Sequence, residues 1–545
     1  MASLTPRTGT LGFANAAHLL RRTTFNPNKT LINQFAAMTT DQAVDQLFAA
    51  PTYDLPEPIA TDTGQKWIPT ATTPTVTATT MDANARFNVT TAWWLNNAQK
   101  ATTIHTKLSL FLKSIFIVNL HDNFGLYFFG YDYYALLNFY ATGSIKTFTK
   151  KISRLNAMHY YLDNRLNTAV APNENYAREL LELFTIQKGA QDGVGSYTNY
   201  TEHDVQQAAR VLTGFTNISE SQRLSYLDAE CNIPLGKKDI TKHDTGNKTF
   251  SSKFGNQTIT GATTAAAMDT ELDAFIDMIF NQPETAKSYA RRLYRYFVRR
   301  TIDTETETDI IVPLANNLMT TNYNMESTVK LLLKSVHFYD EDDTTVGDEI
   351  IGSKIKSPLD LFLMINSQFR LQTVSPLVNV VGFSSFYYSY TWGRINTSGF
   401  LLFRALTVAG YPPMYELPDY DKLWITTSSL RYRYAAALDN LITGYTANGY
   451  TFKLDVVAFV RNSGDFSNPA NATTLVNEFL ELCFCDMPTG SRYTFFQQAL
   501  LGNLSPINWQ NEWNNYITTN NSASVKTALD RFIKAIVKSP EYQLL

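Results

Sequence analysis

Residues Ala171–Thr216, APNENYARELLELFTIQKGAQDGVGSYTNYTEHDVQQAARVLTGFT, carry more ionisable side chains at helical spacing than any other part of the chain. Glu174, Arg178, Glu179 and Glu182 fall on one predicted helix, with Arg178 four residues from both Glu174 and Glu182. Its guanidinium is expected to bridge a carboxylate one turn above and one turn below. Leu180, Leu181, Leu183 and Phe184 give that helix an apolar side, and Pro172 and Asn173 suit its start. After a Gly-rich loop, Thr201-Glu202-His203-Asp204 opens a second helix whose buried stripe is Val205, Ala208, Ala209, Val211 and Leu212.

Outward from this pair, helical periodicity dominates. Short helices are predicted at Leu11–Arg22, Lys29–Ala37 and Thr40–Ala49, then Ala83–Gln99, Thr103–Leu120, Phe148–Leu162, Met268–Phe280, Glu284–Arg300, Glu305–Thr321 and Met325–Tyr339. Further helices are expected at Leu359–Gln368, Thr397–Ala409, Ser429–Leu441, Ala470–Cys485, Arg492–Leu501 and Ser524–Lys538. The fold class is mainly α: a multi-helix globular array with one small β hairpin, Lys248–Thr260, and long irregular connections. The expected organisation is N-terminal helices at 1–50, a Thr/Pro-rich strap at 51–82, a central helical domain at 83–340 and a C-terminal helical domain at 351–545. The aromatic run 123–141 reads as core, or as a contact surface if exposed.

Several stretches resemble one bacterial family, domain of unknown function 1800. They are PNENYARELLELFT and YTEHDVQQAARVLTGFT, AAHLLRRTTFNP (Ala16–Pro27), MHYYLDNRLN (Met158–Asn167), HDTGNKTF (His243–Phe250), KSPLDL (Lys356–Leu361) and, more loosely, residues 410–430. The resemblance implies two histidines two positions apart in the helix at Thr103–Leu120, in an order close to Phe-(Trp or Leu)-His-x-His-Phe. This chain has Phe111-Leu112-Lys113-Ser114-Ile115-Phe116. Lys113 repels a divalent cation and Ile115 offers no donor atom, so a metal held there by relatives is not expected here. His105 and His121 flank the helix about four turns apart, too far to replace the pair. The resemblance also offers a sulfatase-like protein as a partner, because relatives' genes often neighbour that family.

The chain has 545 residues and a net charge of −3, from 46 Lys and Arg against 49 Asp and Glu. That balance gives no electrostatic case for nucleic acid or an anionic membrane surface. Charged residues make up only 17%, and a surface polar through hydroxyls and amides suits extensive protein contacts. Cys231, Cys483 and Cys485 are too few for a disulfide framework. No run is apolar and long enough to span a membrane. The start lacks the basic and apolar regions of a secretory leader, so a cytoplasmic protein, or one exported without a classical signal, is expected.

Two functions follow. The first is a non-catalytic structural or interaction component of a larger protein assembly, through protein partners or self-assembly, with no metal or cofactor. The alternative is a hydrolase-like enzyme, metal-dependent or not, in which Glu174, Arg178, Glu179, Glu182, His203 and His243 converge on one cleft. There the carboxylates would serve as base or metal ligands, Arg178 as an anion clamp and His203 as a proton carrier. His243-Asp244 orients an imidazole for proton transfer or is a turn tied by its own side chains. The basic run Arg291, Arg292, Arg295, Arg299 and Arg300 is expected to pair with carboxylates, with Glu174, Glu179 and Glu182 as available partners.

Overall fold

Side-chain caps set where many of the helices begin. Asn28, Asp82, Ser144, Asn324, Asp455 and Asn471 each accept a hydrogen bond from a first-turn N–H, satisfying a donor that the helix itself leaves free. The computed structural model describes residues 2–120, 127–344, 347, 349–371, 375–410, 420–438 and 442–545. His121, the first part of the aromatic run, residues 411–419 of the loosest family match, part of the acidic loop near residue 345 and the end of the helix expected at Ser429–Leu441 lie outside them. Helices dominate, joined by four two-stranded antiparallel sheets among the described residues. The expected hairpin is present with Lys248 paired to Ile259 and Thr249 to Thr258. A second hairpin, Gln191–Gly193 with Ser196–Tyr197, forms within the Gly-rich loop between the two motif helices.

One apolar core runs from Leu11 to Tyr542. The helix Tyr127–Phe139 places Phe129, Tyr133, Tyr134, Leu136 and Leu137 inside it, so the described part of the aromatic run is mostly core. The strap builds a core of its own from Ala60, Trp67, Ile68 and Met81 with Val89 of the next helix. It is tied down by polar contacts: Trp93 Nε1 and Asn97 Nδ2 donate to the Leu55 carbonyl at 2.6 and 2.8 Å, and Arg223 donates to that of Pro69.

Two motif stretches explain themselves as fasteners. Arg22, buried in the first helix, Gly12–Thr23, donates to the carbonyls of Val298, Ile350 and Leu545 at 2.6, 2.7 and 2.9 Å. In KSPLDL, Ser357 and Asp360 form a capping box at the head of Pro358–Gln368. Asp360 also binds Lys107 of the helix His105–Ile115, and Lys356 donates to the Tyr542 carbonyl at 2.6 Å. Segments hundreds of residues apart thus meet through charged groups that have no water to turn to.

Several helices differ from their sequence expectation. Phe148–Leu162 is two helices, Ile145–Ile152 and Asn156–Tyr161. Glu305–Thr321 contains a π-helical turn, Glu307–Ile311, which lets the chain pass Pro313 without the clash its ring makes in a regular helix. The helix expected at Thr397–Ala409 instead occupies Val380–Thr397 in three joined pieces; it stops because Gly399 and Phe403 take φ of +97° and +71°. Two helices, Val456–Asn462 and Pro506–Thr519, were not foreseen. The basic run does pair with carboxylates, but not the expected ones. Arg291 binds Glu284 and Glu307, Arg299 binds Asp303, and Arg300 binds Asp421. Arg292 alone reaches the motif, at the Leu183 carbonyl.

Candidate functional site

The first motif helix is regular only over Asn175–Glu179 and then widens into a π-helical turn, Leu180–Phe184. A π turn holds more residues than an α turn, so Glu182 no longer lies over Arg178. The expected three-residue bridge is therefore replaced. Arg178 binds Glu174 at 2.9 Å and Glu202, on the second motif helix, at 2.8 Å. The guanidinium thus joins the two helices. Glu182 pairs with Lys188 at 3.2 Å and accepts the Tyr200 hydroxyl at 3.2 Å. The hydrogen bond from Arg178 holds the Glu202 carboxyl below its usual range.

Glu179 differs from its neighbours. It is half-buried, and its carboxylate makes no hydrogen bond or ion pair among the described residues. Burial, reinforced by the Glu182 charge, raises its pKa. Burial and the Glu179 carboxylate push the Tyr161 hydroxyl up to about 12.

The second helix, Glu202–Val211, starts at a capping box between Thr201 and Asp204. Asp204 accepts four hydrogen bonds, two from Thr201 at 2.8 Å and two from Ser251 at 2.7 Å. It thereby pins the hairpin region to this helix. His203 is exposed and meets the Thr249 carbonyl at 3.0 Å.

His243 lies in a separate, buried network. Its Nδ1 is 2.8 Å from the Thr213 carbonyl and its Nε2 is 2.8 Å from Glu271. Glu271 also pairs with Lys248 at 2.6 Å and accepts the Ala262 N–H at 2.6 Å. Asp244 turns away to a two-pronged contact with Arg210, at 2.7 and 3.1 Å, and accepts the Gly246 N–H at 2.9 Å. The loop needs glycine where it crosses itself: a Cβ at Gly261 would lie 2.2 Å from the Thr245 carbonyl oxygen, and one at Gly214, where φ is +75°, 2.6 Å from that of Asp239.

Of the six candidate residues, Glu174 and Arg178 are joined directly, and Glu179 and Glu182 lie beside them on the same helix. His203 and His243 bond elsewhere and make no hydrogen bond to any of the four. Sequence reasoning missed Glu202, Lys248 and Glu271. Lys248 stood inside the HDTGNKTF match, whereas Glu271 carries no local signal.

The helix His105–Ile115 completes the picture. Lys113 and Ile115, at the positions where relatives carry histidine, are 1% and 8% exposed. The Lys113 ammonium lies 5.6 Å from the centre of the Phe403 ring, and burial pulls its pKa down to about 7. Phe116 packs on Phe184 with ring centres 5.1 Å apart, so this helix and the first motif helix share a wall. The family model described as "Protein of unknown function (DUF1800)" matches residues 18–544. The chain belongs to the DUF1800 family. No curated protein and no solved structure matches it. Among the described residues of this DUF1800 member, no three His, Cys, Asp or Glu side chains gather as a metal ion would require, and no helix is long and apolar enough to cross a membrane.

Proposed function

We propose that the protein is a non-catalytic structural or interaction component of a larger protein assembly. The observation that carries this reading is the use made of the motif's ionisable groups. Arg178 joins two helices through Glu174 and Glu202, Asp204 anchors a loop with four hydrogen bonds, and His243 sits inside a buried ion network. At Lys113 and Ile115 a buried ammonium and a hydrocarbon stand where the family resemblance implies imidazoles. These groups fasten the fold together. The partner is a second copy of the chain or another protein, a sulfatase-like neighbour being the one that the family resemblance offers. Light scattering coupled to size exclusion tests it, from micromolar to near-millimolar protein and again on the complex isolated under native conditions. A discrete assembly with an interface well over ~1,000 Å² is expected; a monomer under every condition overturns the reading.

A second reading rests on Glu179. A half-buried carboxyl with a raised pKa and no partner suits a general acid in a hydrolase-like reaction. Glu179→Gln decides: loss of a hydrolytic activity found in the wild-type protein, with an unchanged melting temperature, favours catalysis, and retention of that activity removes it.

A further inference from the structure

Away from the motif helices, a cleft of about 510 Å³ opens where the strap, the end of the helix Ala83–Lys100 and the end of the helix Pro358–Gln368 meet. Its walls are amide, hydroxyl and charged groups, and two residues that line it, Tyr387 and Asn366, are almost wholly buried. Tyr387 lines it and is 1% exposed, but its hydroxyl has no hydrogen-bond partner among the described residues. Asn366, also 1% exposed, donates to Gln99 Oε1 at 3.1 Å and Thr391 at 3.3 Å, while its own Oδ1 accepts no hydrogen bond among the described residues. Gln99 is fixed in turn by its bond to the Leu371 carbonyl at 3.2 Å. Buried polar groups are rarely left in this state without a ligand or water to complete them.

The charged residues at the rim are partly exposed, with the Asp54 and Arg370 side chains 42% and 32% accessible. Asp54 uses one oxygen for Lys100 at 2.8 Å and Asn96 at 3.0 Å, and its other oxygen has no partner among the described residues. Arg370 spends Nε and Nη2 on Asp465 and Thr30 and leaves Nη1 without a partner among the described residues. Each cation is therefore matched by a carboxylate, so the cleft has no charge preference to offer an ion.

Arg370 is held there at a backbone cost. The helix Pro358–Gln368 ends in a paired turn, with the Leu371 N–H on the Asn366 carbonyl at 2.7 Å and the Arg370 N–H on that of Ser367 at 3.1 Å. Such a turn requires a left-handed residue and usually takes glycine. Here φ is +52° at an arginine, and strain of this kind gathers at ligand sites.

We propose that this cleft binds a neutral saccharide of one or two rings. Sugar hydroxyls both donate and accept, as do the unsatisfied atoms: acceptors on Asn366 and Asp54, a donor on Arg370, and a hydroxyl on Tyr387 that does either. The volume lies within the range of small-ligand sites. The inference stands apart from the assembly reading, since a sugar site is compatible with either outcome there.

The test is saturation-transfer NMR and calorimetry on the full chain with glucose, galactose, mannose, N-acetylglucosamine, maltose and cellobiose, with inorganic phosphate as the anionic control. At least one saccharide is expected to bind saturably and phosphate not to compete. Tyr387→Phe keeps the ring and removes the hydroxyl, so affinity should fall about 5-fold, the worth of one hydrogen bond, with the melting temperature held or raised. Asn366→Asp, which keeps the shape and alters the donor pattern, should also weaken binding. No saturable saccharide, displacement by phosphate, or unchanged affinity in Tyr387→Phe each overturns the proposal.

Discussion

Arg223 grips both carboxylate oxygens of Asp132 at 2.5 Å, with each side chain 2% exposed. The same guanidinium donates to the Pro69 carbonyl, so the ion pair fastens the strap to the helix Tyr127–Phe139. Removing one partner leaves the other charged and buried. Asp132→Ala is expected to cost about 3–5 kcal/mol, while replacing both residues together by apolar side chains recovers most of the loss. Urea denaturation of the two single variants and the double variant measures this. A single variant within error of wild type contradicts it.

The network around Glu271 makes a similar claim for the hairpin region. Glu271→Ala strands Lys248 and His243 away from water and should destabilise by about 3–5 kcal/mol. Glu271→Gln keeps an acceptor for the Ala262 N–H and is expected to cost less. Thermal melting ranks the two, and hydrogen exchange at Lys248–Ile259 should rise before exchange elsewhere does.

Lys113 gives the protein a pH dependence of definite sign. An exposed lysine ionises near 10.5 and Lys113 near about 7. Between those values the unfolded chain holds the extra proton, so this group's contribution to stability improves as pH rises through the window. Lys113→Met removes the effect. The variant should be more stable than wild type by up to a few kcal/mol at about pH 7, and the two should converge toward about pH 10. Equal denaturation midpoints at both ends refute it.

Glu179 makes a smaller prediction. Its pKa is raised, so the ionised form opposes folding above that value. Glu179→Gln should therefore hold or slightly raise the melting temperature at neutral pH. The difference should vanish in acid, once the carboxyl is protonated in folded and unfolded chains alike. A clear loss of stability at neutral pH would mean the carboxylate has a partner.

The mainly helical fold was legible because apolar residues recur at helical spacing and caps such as Asn28 and Asp82 mark starts. What the residues did not disclose were departures from the regular turn. The π turn at Leu180–Phe184 moved Glu182 away from Arg178, and nothing local in LLELF announces it. Left-handed Phe403 closed a stretch that periodicity alone would continue as helix. The pairing of Arg178 with Glu202, and of His243 with Glu271, depends on where separate helices cross, which spacing along one helix does not contain. The helix Pro506–Thr519 was missed because its mixture of Asn, Thr and Trp is a poor helix former by composition; Trp509, Trp513 and Tyr516 give it a face to bury.

The strap has a consequence for how the molecule comes apart. Its miniature core of Ala60, Trp67, Ile68, Met81 and Val89 is separate from the main one, and a cluster of that size holds far less free energy than the body beneath it. A protease applied under mild conditions should therefore nick the Thr-rich run 70–80 first and leave the helical body whole. Two tightly associated fragments, inseparable until denaturant is added, would be the product.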